Sequence, residues 1–164
     1  RATGIARMFR NAGIETEVSG AIRRLVWEKL LINVGINPLA ALTGVKNGQL
    51  LDHPEALEIM EHLVSEAAAV AGRKGIPLEG DPMDAVKAVA GATRMNRCSM
   101  GQDLDHGRRT EIDVLNGAVV REAKTLGLAV PYNRMMTQLI KFAEKTRESR
   151  REEGRYGTKE DNTR

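Results

Sequence analysis

Lys29, Asn33 and Asn37 recur every four residues inside the otherwise apolar stretch WEKLLINVGIN, Trp27 to Asn37. On an α-helix each step of four advances about 40° around the axis, so the three polar side chains form one narrow stripe. Leu30, Leu31, Ile32, Val34 and Ile36 fill nearly every other direction from Leu30 onward. A helix apolar almost all round is expected to be buried. Lysine is seldom buried unpaired and asparagine is a poor helix-interior residue, so this stripe needs a reason. An ammonium and two amides in line could meet a polar ligand on the floor of a cleft. The bland alternative is a snorkelling lysine beside two asparagines that satisfy neighbouring backbone.

A second polar group lies between Ser99 and Glu111, SMGQDLDHGRRTE. Local pattern offers each member an ordinary role. Ser99 with Gln102 spells a capping box, Thr110 is a good N-cap, and Glu111 in a first turn meets the helix dipole favourably. Cys98 reads as a small packing residue rather than a nucleophile, because no histidine partner is suggested. His53, His62 and His106 show no metal-ligand spacing with Cys98, and no metal site is expected. GVKNG, at 44–48, is not a phosphate-cradling motif: no strand precedes it, and the chain contains no GxGxxG.

Helices must position these groups. Ile5, Met8 and Phe9 fall on one helical face that Gly13 would stop after Ala12; GIETEVS then alternates like a short strand or extended linker. Ser19 is a candidate N-cap for the long helix through Asn37, where Pro38 should end or kink it, with a short helix around Leu39 to Leu42 beyond. Pro54 opens a helix stopped by Gly75, with Leu57, Met60, Val64, Ala68 and Ala71 at helical spacing. Asp81-Pro82 starts another, through about Met95, with Val86, Val89 and Ala90 inward. Thr110 to Leu126 forms a further one, with Ile112, Leu115 and Val119 on a face and Gly127 closing it. The last runs from Pro131 to about Lys145. Strong strand signals are lacking, so the expected class is all-α.

The 164 residues and 41% hydrophobic share suit a globular domain with a respectable core. No uninterrupted apolar run approaches the roughly 18 residues needed to span a bilayer, no signal peptide is recognised, and no membrane partner is expected. The net charge of +3 is already reached within residues 1 to 24, and Phe9, Trp27, Tyr132, Phe142 and Tyr156 are too few for a base-stacking platform. No nucleic-acid partner is expected. A single Cys98 rules out an internal disulfide and is compatible with a reducing cytoplasm. The stretch from Glu148 is polar and without apolar period, which predicts a disordered tail over 148–164.

WEKLLINVGINPLAALTG, followed some sixty residues later by SMGQDLDHGRRTEIDVLNG and then by GLAVPYN, resembles the C-terminal domain of the ketopantoate reductase (2-dehydropantoate 2-reductase) family, from about Ile5 to about Ala143. The resemblance implies a multi-helix substrate domain of the 6-phosphogluconate-dehydrogenase C-terminal-like type over 19–147. It also implies that 1–18 links to an NADPH-binding Rossmann domain absent from this chain, so that none of the residues here is expected to bind the cofactor. It makes Lys29 the general acid, Asn33 and Asn37 substrate ligands, Ser99 the ligand of the carboxylate end, and Glu111 the holder of the substrate hydroxyl. Asp103 matches the pattern in a supporting role, and Gly101 stands where a larger residue would be expected. The implied activity is reduction of ketopantoate to pantoate in pantothenate biosynthesis, in the cytoplasm, with NADPH. A homodimer is a possible assembly, and Glu111 could pair with Lys29 when substrate is absent. The other reading is a non-catalytic helical module for interaction or dimerisation.

Overall fold

The computed structural model describes the backbone of residues 1–157 and the side chains of residues 1–147. Seven α-helices follow one another: α1 (Ala2–Asn11), α2 (Ile22–Thr43), α3 (Pro54–Arg73), α4 (Pro82–Ala92), α5 (Ser99–Asp105), α6 (Asn116–Leu126) and α7 (Pro131–Gly157), with a 3₁₀ turn at Asn47–Asp52. No strand occurs among the described residues, as the lack of sustained alternation predicts. Ile14 to Ser19 is an extended linker without ladder partners.

The core forms around α2, which packs against α3, α4, α5 and α7. Its second half supplies Leu31, Val34, Ile36, Leu39, Ala40 and Ala41, all buried. They meet Met60, Leu63 and Val64 from α3, Val86 from α4, Met100 and Leu104 from α5, and Ile140 from α7. Gly35 lets three helices approach: a Cβ there would lie 2.9 Å from Val64 Cγ2 and 3.2 Å from Val86 Cγ1. The first half of α2 is different, with Ile22, Leu25 and Val26 exposed.

α2 does not stop at Pro38, which lies inside the helix and buried, and the separate short helix expected over Leu39 to Leu42 is its last turn. Proline removes one backbone donor, and the helix continues because packing and a side-chain substitute compensate. The ending is Gly44, at φ 77°, a left-handed residue that glycine adopts without strain. By length and composition α2 is also apolar enough to cross a membrane, a test that a core helix passes as well: Glu28, Lys29 and the asparagines interrupt the run without lowering the average far. In this fold 44% of its most apolar window is buried among the other helices.

Other boundaries shift as well. α2 begins at Ile22, and Ser19 Oγ accepts from Ala21 N at 3.0 Å just ahead of it instead of capping it. α4 ends at Ala92, before the expected Met95, with Thr93 Oγ1 bonded back to Val89 O at 2.7 Å. α6 starts at Asn116, not Thr110; residues 111–115 are turns in which Gly117 N reaches Ile112 O at 2.9 Å and Leu115 takes ψ −102°. This non-helical register still buries Ile112, Leu115 and Val119 together. α7 runs past Lys145 to Gly157, so 148–157 of the expected disordered tail is helical, and 158–164 lie outside the described residues.

Candidate functional site

The stripe on α2 is present, and its depth grades along the helix: Lys29 is exposed, whereas Asn33 and Asn37 are half-buried. Full burial along the helix begins at Leu31, and Lys29, before it, is exposed and its ammonium meets water. The expectation of a uniformly buried helix therefore fails at Lys29, which shares an uncovered face with exposed Val26 while Trp27 and Leu30 pack against the core from the other side.

Ser99 opens α5 and is exposed. It is not the capping residue; Cys98 holds that position, with Sγ accepting from Gly101 N at 3.2 Å, while Gln102 Nε2 donates to Arg97 O. The capping-box reading fails because the chain enters the helix one residue earlier, where the thiol is aimed at the free backbone donors. Cys98 Sγ also donates to Asn37 O at 3.4 Å, which fixes the start of α5 against the second asparagine of the stripe. Burial pushes the Cys98 thiol above its ordinary pKa, in keeping with a structural rather than nucleophilic role. Arg97 completes this clamp: its Nη1 donates to Ala40 O and Val45 O at 3.2 and 3.3 Å, and its other donors hold Asp105. Gly101 makes room for it, since a Cβ there would lie 2.9 Å from Arg97 Cζ. Neither Arg97 nor the capping thiol was singled out in the sequence, although Gly101 after the SM pair was the signal that something large occupies its place.

Glu111 lies exposed in the turns before α6, not in a helical first turn. Its neighbour Thr110 is tied to α7 through Glu144 Oε1, which accepts from Thr110 N at 2.7 Å. Asp113 next along is bonded by Lys141 at 2.6 Å and Arg109 at 3.1 Å, and these cations hold its carboxyl below the usual carboxylate range. Asp103 closes the loop after α5, accepting from Arg108 Nε at 2.9 Å. The acids around Glu111 are thus already paired.

By contrast the side chains of Lys29, Asn33, Asn37, Ser99 and Glu111 make no hydrogen bond or ion pair among the described residues. The ion pair expected between Lys29 and Glu111 does not form: both side chains are exposed, and solvent screening leaves little to hold two long side chains together. Two open grooves flank the fold, one lined by Arg108, Arg109, Asp113, Lys141 and Glu144, the other by Val120, Leu128 and Pro131; none of the five lines either. Lys29, Ser99 and Glu111 stand exposed and Asn33 and Asn37 half-buried, the α2 stripe and the start of α5 adjacent through Cys98, and Glu111 on a separate turn fixed by α7.

A family profile described as ketopantoate reductase PanE/ApbA C terminal matches residues 21–144. The chain is similar to 2-dehydropantoate 2-reductase of Halobacterium salinarum, at 39% identity over 145 residues that cover 88% of this chain and 48% of that protein. Among solved structures it resembles a PanE/ApbA family ketopantoate reductase from Ralstonia eutropha JMP134, at 34% identity and a TM-score of 0.84, covering 89% of this chain and 49% of that one. It also resembles D-mandelate dehydrogenase in a ternary structure with NADH and anilino(oxo)acetate, at 27% identity and a TM-score of 0.80, over 90% and 49% of the two chains. The chain spans about half the length of the curated relatives it matches.

Proposed function

The chain belongs to the ketopantoate reductase family, as its C-terminal domain, and from there we propose that it is the substrate-holding half of a 2-dehydropantoate 2-reductase that reduces ketopantoate to pantoate in the cytoplasm. The observation that carries this reading is the set of five unpartnered polar side chains, in family order, while Asp103, Asp105 and Asp113 on the stretch from α5 to α6 are each ion-paired. Free hydrogen-bonding groups on a rigid core helix are what a small polar substrate requires.

In this reading the carboxylate end of the 2-oxo acid is held by Ser99, its polar groups by Asn33 and Asn37, and its hydroxyl by Glu111. A reduced nicotinamide cofactor, NADPH in this proposal, supplies hydride to the carbonyl carbon when bound. Negative charge develops on the carbonyl oxygen as the carbon is reduced. The Lys29 ammonium beside that oxygen stabilises the charge and gives up one proton, leaving the 2-hydroxy acid. Asn33 and Asn37 orient the substrate without adding charge. Among the described residues there is no strand and no glycine-rich strand-to-helix turn, and in this reading cofactor binding falls to the remainder of the full-length protein.

The test is nicotinamide oxidation with ketopantoate by the full-length protein and by this chain alone. Turnover by the full-length protein only, faster with NADPH than with NADH, is the expected result. Failure of the folded full-length protein across a panel of branched and aromatic 2-oxo acids would overturn the reading.

Self-association belongs to the same proposal. Ile5, Met8 and Phe9 on α1, with Ile22, Leu25 and Val26 on the first turns of α2, are exposed apolar side chains that support pairing of this chain with a second copy. Light scattering that shows only monomer at high concentration would count against it.

A further inference from the structure

We infer that Asn116 is a positioning residue for the substrate contacts, its side-chain amide standing in for the backbone donor that Pro38 lacks. The inference rests on the reading above in which Asn33 and Asn37 hold the 2-oxo acid. In an uninterrupted helix the N–H of residue 38 would donate to Val34 O; proline has no N–H, and the vacancy falls on the turn between the two asparagines. Val34 is fully buried, so water cannot replace the missing donor. Asn116, also fully buried, reaches in from the start of α6: its Nδ2 donates to Val34 O in a long contact of 3.5 Å and to Asn133 Oδ1 at 3.0 Å. Both partners are acceptors, which fixes the orientation of the amide, because the flipped form would set its oxygen against two oxygens.

Asn116 is itself held from behind. Asn133, fully buried at the start of α7, donates through Nδ2 to Leu63 O at 3.0 Å and to Glu66 Oε2 at 2.7 Å. Glu66 on α3 accepts from Tyr132 N and Asn133 N, both at 2.9 Å, so its carboxylate neutralises the first free donors of α7. A continuous relay runs from Glu66 through Asn133 and Asn116 to the Val34 carbonyl. Asn133 is anchored to Glu66 by its backbone N–H as well as its side-chain amide, so the amide of Asn116 arrives at Val34 from a fixed base. Neither ligand asparagine touches the relay with its side chain; the relay acts through the backbone turn that carries them. No stretch of sequence places these four residues together, and NG at 116–117 alone reads as an ordinary turn.

The test is a double-variant cycle in the full-length protein, Asn116→Leu with and without Pro38→Ala. Leucine keeps the branching of the side chain and removes both donors, while alanine in place of the proline restores a backbone N–H aimed at Val34 O. Asn116→Leu should raise the KM for ketopantoate about tenfold, the loss expected for an unpaired buried acceptor beside the ligands, and leave the KM for NADPH within about twofold. On the Pro38→Ala background the loss caused by Asn116→Leu should shrink by about threefold or more, because the Val34 contact is regained and the Asn133 contact is not. An unchanged ketopantoate KM in folded Asn116→Leu, or an equal loss on both backgrounds, would overturn the inference. Where Asn116→Leu alone fails to fold, the same cycle is read on soluble yield and melting temperature: recovery by Pro38→Ala supports the relay, and no recovery overturns it. Should the wild-type protein reduce no 2-oxo acid, the functional reading falls, and the melting-temperature cycle still decides whether residues 38 and 116 are coupled.

Discussion

Lys29 is exposed and unpaired, which separates its role in chemistry from any role in stability. Lys29→Ala in the full-length protein should lower kcat by about 10²- to 10⁴-fold, the usual worth of a positioned general acid, while the melting temperature changes little because no protein contact is lost. Near-normal turnover by this variant would remove the proton-donor assignment. Gly101 makes the opposite prediction. A leucine there would push Arg97 off Ala40 O and Val45 O, two carbonyls near the end of α2, and should cost roughly 1–3 kcal/mol in denaturant unfolding. Equal midpoints for wild type and Gly101→Leu would show that the arginine clamp carries no stability. The period of four made the Lys-Asn-Asn stripe legible from the sequence. Its grading from water to half-burial was not, because that depends on which turns of α2 the other helices cover.

The two helical glycines of α2 and α3 separate packing from propensity. Gly35→Ala puts a Cβ 2.9 Å from Val64 Cγ2, inside a three-helix contact, and should destabilise by about 1–3 kcal/mol despite alanine's better helix propensity. Gly72→Ala, in α3 with nothing within 4 Å of the new Cβ, should instead be neutral or stabilise by up to about 1 kcal/mol. Thermal unfolding of both variants checks the pair, and destabilisation by Gly72→Ala would show that α3 is less regular at its end than described. Apolar periodicity located most helices, with α3 starting at Pro54 as read from the sequence. It misjudged Pro38 and the start of α6 for one shared reason: in each case a side chain distant in sequence supplies or occupies the hydrogen bond that local rules assume lost or made. Asn116 answers Pro38, and the turns at 111–115 bend the chain so that Asn116 can enter the core.

At the scale of the molecule, the all-α class was legible because no stretch alternates long enough to build a sheet, while the charge links that join distant elements were not. Asp113, pulled below the usual carboxylate range chiefly by Lys141 and then by Arg109, ties the turns before α6 to α7. A carboxyl lowered on folding contributes stability above its ordinary pKa and loses it as pH falls through the lowered value. The melting temperature should therefore fall less steeply between about pH 5 and pH 2 in Asp113→Asn than in the wild type, by a small margin since Asp113 is about a third exposed. Parallel acid profiles would deny it any part. The relay ending at Val34 has one further consequence, for the order in which the chain can be completed. The Val34 carbonyl meets its donor 82 residues downstream, and that donor leans in turn on Asn133. During synthesis α2 emerges early, but the turn bearing Asn33 and Asn37 stays short of one hydrogen bond until the start of α7 has left the ribosome. A nascent or truncated polypeptide ending before that point would hold every ligand residue and still not present them in finished form.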